Sequence, residues 1–292
     1  MNTRLLFLMG TTLLVTVGVL ALLLQPSPKP KHAPPPPPVV TTTSSAPAPP
    51  PQVAMSWKSA GALVWHAHDS DPTWLGQQLR NAGFGWVAVY FGSTGNAYPI
   101  DPGWIARFEQ ASGLPVGGWS VLVGYPHYDA GFAAKQLKQY GLSFYIADAE
   151  AQYQGKPGAS QQFVTAFRAA EPTLPAGLSS YCNAQGIGLK PWASAGFAFL
   201  PQAYVNDFGA SVSPAACVSA AAAYFPRADV HPTVACYQGR LGYVTPARFA
   251  RLLAAAGTTG FSIYPAETLV NPKDWQTYGQ AIASLHIAAR PS

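Results

Sequence analysis

Asp148 and Glu150 stand two residues apart in an otherwise apolar run, Phe144-Tyr145-Ile146-Ala147-Asp148-Ala149-Glu150. On an extended chain that spacing puts both carboxylates on one face, with Cα atoms roughly 6.5 Å apart. Two ionised carboxylates so close repel each other, which raises the pKa of at least one and lets it serve as a general acid near neutral pH. Two carboxyl groups with separated pKa values are what glycosidic bond cleavage requires. The competing reading is a pair satisfied by Arg, Lys or loop amides. No Arg or Lys stands at the end of any strand predicted below.

Aromatic residues crowd the ends of the same strands: Trp65, Tyr90, Trp119, Tyr125, Tyr153, Tyr181, Trp192, Tyr204, Tyr237 and Tyr264. Tyr and Trp join a flat apolar face to a hydrogen-bonding tip, which suits a partly wet cleft for a sugar. Several of them are expected to pack against helices instead. Gln202, Tyr204 and Asn206 alternate along one run, so a strand there would turn all three to one face, with the amides free to hold hydroxyl or acetamido groups. Asp207 either joins them or caps a turn, and Glu267 is assigned to a loop. His66 and His68 alternate on the first strand and are read as hydrogen-bonding partners of the acid pair, with Asp69 orienting an imidazole. His127 falls in a loop that could border the mouth. Cys182 lacks a fixed His partner and is not read as a nucleophile.

These side chains need a frame, and the chain after residue 60 alternates strand-like and helical patterns. Strands are predicted at 62–68, 86–91, 116–123, 144–150, 177–182, 199–206, 233–237 and 260–264. Helices are predicted at 73–82, 102–111, 129–140, 160–170, 214–224, 246–256 and 272–285. Asp71-Pro72, Asp101-Pro102, Ser213-Pro214, Thr245-Pro246 and Asn271-Pro272 each set an N-cap residue before a proline at the first helical position. Eight strands in about 230 residues predict an α/β fold of the closed (β/α)8 type, with any site at the C-terminal strand ends. An open doubly wound sheet is disfavoured, because Trp65-His66-Ala67-His68-Asp69 replaces the Gly-rich loop expected after its first strand.

Composition narrows the partners. The 292 residues carry 17 basic and 12 acidic groups, but Arg4, Lys29 and Lys31 precede residue 53 and every acid follows it, so the remainder balances at +2. Such a domain lacks the basic face that nucleic acid requires. Leu5 to Leu24 is uncharged and long enough for a membrane-spanning signal anchor over residues 1–25; a cleaved signal peptide is the alternative. Residues 26–52 hold 12 of the 29 prolines and read as an extended linker reaching up to about 80 Å. Residues 53–292 then form the barrel domain, placed outside the cytoplasm in the cell envelope. Three cysteines allow one disulfide without choosing its pair.

Asp-Ala-Glu closing the fourth strand and Pro201-Gln202-Ala203-Tyr204 on a later one resemble the family 25 glycoside hydrolases, lysozyme-type muramidases, and their actinobacterial and phage-borne relatives. The resemblance implies a polysaccharide partner, peptidoglycan glycan above all, and no cofactor. It makes Glu150 the general acid, and it makes Asp148 either an ionised stabiliser of positive charge at the anomeric carbon or the group that orients a 2-acetamido substituent. The family's early Asp on the first strand has no counterpart before Asp69, so a non-catalytic polysaccharide-binding barrel is the rival expectation. The His66-x-His68 pair resembles metal-dependent amidohydrolases, whose further ligands on strands four, five and eight are missing here. A catalytic metal is therefore not expected.

Overall fold

The computed structural model describes residues 53–284 with the exception of 259. The anchor and linker expected over 1–25 and 26–52 lie outside the described residues. Among the described residues no helix is long and apolar enough to cross a membrane. The strands are β1 (Ala60–Val64), β2 (Trp86–Ser93), β3 (Asn96–Ala97), β4 (Val116–Val121), β5 (Tyr145–Asp148), β6 (Ala176–Tyr181), β7 (Ala198–Gln202), β8 (Thr233–Ala235) and β9 (Phe261–Tyr264). The helices are α1 (Pro72–Asn81), α2 (Pro102–Ser112), α3 (Pro126–Tyr140), α4 (Pro157–Ala170), α5 (Lys190–Ser194), α6 (Val205–Phe208), α7 (Pro214–Ala221), α8 (Pro246–Ala256) and α9 (Pro272–Ser284).

Eight strands pair in parallel in the order β1-β9-β8-β7-β6-β5-β4-β2, and β1 closes on β2. This is the (β/α)8 barrel. Strand β3 is an extra, antiparallel to the end of β2, and sequence periodicity did not reveal it because two residues carry no pattern. All five expected caps form: Asp71 accepts from the amides of Thr73 and Trp74, Asp101 from Gly103, Ser213 from Ala216, Thr245 from Arg248 and Asn271 from Lys273. The short helices α5 and α6 were not expected, and two strands end four residues earlier than predicted. The first stops at Val64, because the next two amides bond to a side chain, Glu267 Oε1, instead of to a neighbouring strand. The sixth parallel strand stops at Gln202: Ala203 N still bonds Thr233 O, and the chain then coils into α6.

Two apolar layers follow from strand alternation. Outward residues such as Val87, Val89, Tyr145 and Leu178 pack under the helices against Phe108, Phe163 and Phe167. Inward residues Leu63, Trp86, Ala88, Tyr90, Trp119, Phe144, Ile146 and Leu200 fill the barrel. Trp57, from the segment before β1, meets Trp86 and Phe144 edge-on inside it, with ring centroids 5.3 and 5.6 Å away. His231 stacks on Trp57 and is buried among apolar groups, which pushes its pKa down to about 4. Small residues make room for these rings. A Cβ on Gly61 would lie 1.9 Å from a ring carbon of Trp86. Cys182 and Cys217 form the disulfide, and Cys236 is free and buried.

Gly61 and Gly131 therefore separate packing from backbone effects. Gly61→Ala is expected to destabilise by about 1–3 kcal/mol through overpacking. Gly131→Ala, in the exposed interior of α3 with nothing within 4 Å, is expected to stabilise by about 0.5–1 kcal/mol. Urea unfolding of both variants checks the opposite signs.

Candidate active site

At the C-terminal mouth of the barrel lies a cavity of about 140 Å³ lined by Leu63, Trp65, Trp119, Asp148, Glu150, Ser179, Gln202, Tyr204 and Tyr264. Two larger grooves, between α1 and α9 and between α4 and α5, are lined by no carboxylate. Asp148 is the last residue of β5, beside Ser179 of β6 and Val121 of β4. Glu150 lies two residues beyond the strand. Ala149 N still bonds Ser179 O, so the chain runs on beside β6 and carries Glu150 to the same cavity.

Asp148 is buried and Glu150 is half-buried. The Gln202 amide joins them: Nε2 donates to Asp148 Oδ1 at 3.1 Å and to Glu150 Oε1 at 2.6 Å. Among the described residues neither acid makes an ion pair. Burial first, and the charge of Glu150 second, hold the Asp148 carboxyl well above the usual carboxylate range, against weaker opposing hydrogen bonds from Ser179 and Gln202. Burial thus drives Asp148 toward its neutral form, whereas one role implied by the family resemblance required it ionised. Burial also raises Tyr90, Tyr204 and Tyr264, and the charge of Asp148 adds to each shift. These phenols stay neutral hydrogen-bonding groups.

The other expected site residues divide. Trp65, Trp119, Gln202, Tyr204 and Tyr264 line the cavity as anticipated. Tyr90 backs it, stacked on Trp65 with ring centroids 4.8 Å apart and tilted against Trp119 at 4.5 Å. Tyr181 stands exposed at the end of β6, near enough to Glu150 for its charge to raise the phenol pKa, though burial contributes more. Tyr153 does not reach the cavity; it is fully buried in the outer layer, where its hydroxyl donates to Asp129 Oδ2. Asn206 is also diverted, because it sits in α6 and donates to Tyr237 O. Tyr237 donates to Asp207, which also accepts from Arg240 N, so these residues tie two rim loops together. Trp192 is buried beneath helices, while Tyr125 and His127 are exposed.

His66, His68 and Asp69 are corrected most. Because β1 ends early, they lie on or beside the short turn Ala67–Asp69, outside the residues lining the cavity. The imidazoles bond Tyr98 Oη and not the acid pair. His68 also pairs with Asp69 at 3.0 Å. Tyr98, Ser179 and Leu63 escaped the sequence reading. Ser179 could have been found, since it aligns with Asp148 once strand register is assigned.

Asp129 was read only as the start of a helix. It is buried and accepts from Thr94 Oγ1, Tyr153 Oη and the amides of Val123, Gly124 and Tyr125. It thereby joins the loops after β2, β4 and β5 around the mouth.

Replacing Asp148 by Asn gives a signed pH test. A carboxyl with a raised folded pKa contributes stability that is fully present below the unfolded value, about 4, and is lost as pH rises through the folded value. Asn has no such titration. Asp148→Asn is therefore expected to gain stability relative to the wild type as pH climbs from acid to alkaline, read from thermal melts across pH.

No protein-family model and no curated protein matches the sequence. The fold is nevertheless similar to solved barrels. A chitinase from Chromobacterium violaceum aligns with TM-score 0.56 at 16% identity, covering 77% of this chain and 99% of that one. A GH18 chitinase from Flavobacterium johnsoniae aligns with TM-score 0.57 at 10% identity, covering 78% and 94%. The spore cortex-lytic enzyme SleL of Bacillus megaterium aligns with TM-score 0.53 at 8% identity, covering 80% and 74%. At these identities what is shared is the barrel on which those enzymes are built, and family 25 is not singled out.

Proposed function

We propose that this chain is an exported glycoside hydrolase acting on a cell-wall glycan that contains 2-acetamido sugars. One observation carries the reading: two acids at the end of β5 meet in an aromatic-walled cavity, bridged by a neutral amide and, among the described residues, by no cation. A cation would discharge the pair, whereas an amide orients it and leaves one proton favoured between the two carboxyls. That proton, which burial favours on Asp148, passes by way of Glu150, the more exposed, to the glycosidic oxygen as the bond to the anomeric carbon breaks. Asp148, left without it, accepts the N–H of the 2-acetamido group, whose oxygen closes on the anomeric carbon; water then adds at that carbon as the acetamido oxygen leaves, and the proton it gives up returns through Glu150 to Asp148. The stacked Trp65 and the half-buried Tyr204 and Tyr264 offer apolar faces and hydroxyl groups to the ring.

The chitinases and spore cortex-lytic enzyme that share the barrel support a glycan substrate. Export and membrane tethering rest on the uncharged run Leu5 to Leu24 and the proline-rich stretch after it. The Cys182–Cys217 disulfide suits an oxidising compartment. A second reading, a barrel that binds polysaccharide without cleaving it, is favoured by the small cavity, since ligand sites more often span about 300–1,000 Å³.

Reducing-end release from purified peptidoglycan and from chitin oligosaccharides separates the two. The wild type is expected to release ends, and Glu150→Gln to lower the rate by about 100-fold or more while glycan binding persists. Binding without release by either protein would establish the second reading and refute the first.

A further inference from the structure

His66, His68 and Asp69 each offer one metal-ligating atom, and the three atoms lie within 4.8 Å of one another. Both imidazoles already converge on one point, the Tyr98 hydroxyl, at 2.9 Å from His66 Nδ1 and 2.5 Å from His68 Nδ1. A phenol has one proton and can donate to only one of them, so the other ring must donate to the oxygen. The imidazole planes are inclined by 68°, which lets their in-plane nitrogen lone pairs meet without the rings stacking. The turn that bears these ligands is also held from behind. Glu267 Oε1 accepts the amides of Trp65 and His66, and Asp69 N bonds His66 O. Glu267 Oε2 is buried with no hydrogen-bond partner among the described residues.

We infer that His66, His68 and Asp69 form a binding site for one divalent transition-metal ion of the zinc class, at the barrel rim and outside the cavity of the acid pair. Two imidazoles and one carboxylate are a donor set for Zn²⁺ and its borderline neighbours, whereas Mg²⁺ and Ca²⁺ prefer oxygen alone. Tyr98 Oη or water fills the fourth position. Binding requires the nitrogen that faces the ion to be free of its proton, so the imidazole tautomers rearrange and the bonds to Tyr98 are exchanged for bonds to the ion. The side chains of His68 and Asp69 are 61% and 58% exposed, so an ion reaches them directly from solvent. The bound ion would brace the turn after β1, which carries the cavity wall residue Trp65, and with Tyr98 as a ligand would link it to the β2–β3 hairpin.

The test needs no catalytic activity and stands apart from the hydrolase reading. The full chain is stripped with a chelator and titrated with Co²⁺, followed by visible absorption, and the complex is then challenged with Zn²⁺. Saturation at one equivalent, displacement by Zn²⁺, and loss of saturable binding in His68→Ala with an unchanged circular dichroism spectrum are expected. Asp69→Asn is expected to weaken binding, and Zn²⁺ to raise the melting temperature of the wild type but not of His68→Ala. Absence of saturable Co²⁺ binding by the wild type, or equal binding by His68→Ala, overturns the site. His68 and Asp69 are exposed, so neither substitution removes core packing.

Discussion

The organising constraint is an amide between two acids. Gln202 reaches from β7 to donate to both Asp148 and Glu150, which the chain delivers from the end of β5. An arginine at this position would neutralise the pair and settle both groups as carboxylates. The amide supplies direction without charge, so burial and mutual repulsion still govern Asp148. The surrounding mouth is arranged around keeping that contact in place. Aromatic side chains wall the cavity, and Ser179 on β6 supplies a supporting hydrogen bond to Asp148.

Rigidity at the mouth comes from a second buried acid with a different set of partners. Asp129 has five donors around it, three of them backbone amides, while Asp148 has few. A buried polar side chain with that many partners is fixed in place. One acid is spent on holding loops and the other is left under-compensated at the cavity. This unequal provision of donors distinguishes a structural carboxylate from one suited to proton transfer. On the far side of the mouth, Asp207 ties Tyr237 and Arg240 in the same fashion, and Glu267 fixes the amides that follow β1.

Much of this was legible in the order of residues. The alternation of apolar runs and capped helices announced eight parallel strands, because strand and helix periods and the residue pairs at helix starts are local properties. Asp148 and Glu150 were legible for the same reason: two residues along extended backbone share a face whatever surrounds them. Trp65, Trp119, Gln202, Tyr204 and Tyr264 followed once the rim was placed. The failures share a cause as well. His66, His68 and Asn206 were assigned by extending strand alternation past the point where the strand stops, and strand length depends on which partner takes the next amide. For β1 that partner is Glu267, about 200 residues away.

The linear chain by itself therefore determined the class of fold, the strand that bears the acids and the apolar character of their surroundings, since each depends on neighbours within a few residues. Tertiary structure alone decided that Cys182 pairs with Cys217, that Tyr153 turns away to Asp129, and that Asp148 is the acid pressed toward neutrality. It also decided that two histidines and an aspartate gather around Tyr98 instead of the cavity. Each of these outcomes is set by desolvation or by a contact between distant segments. Such quantities acquire values only when the barrel closes and water is removed from one side of a group and not the other.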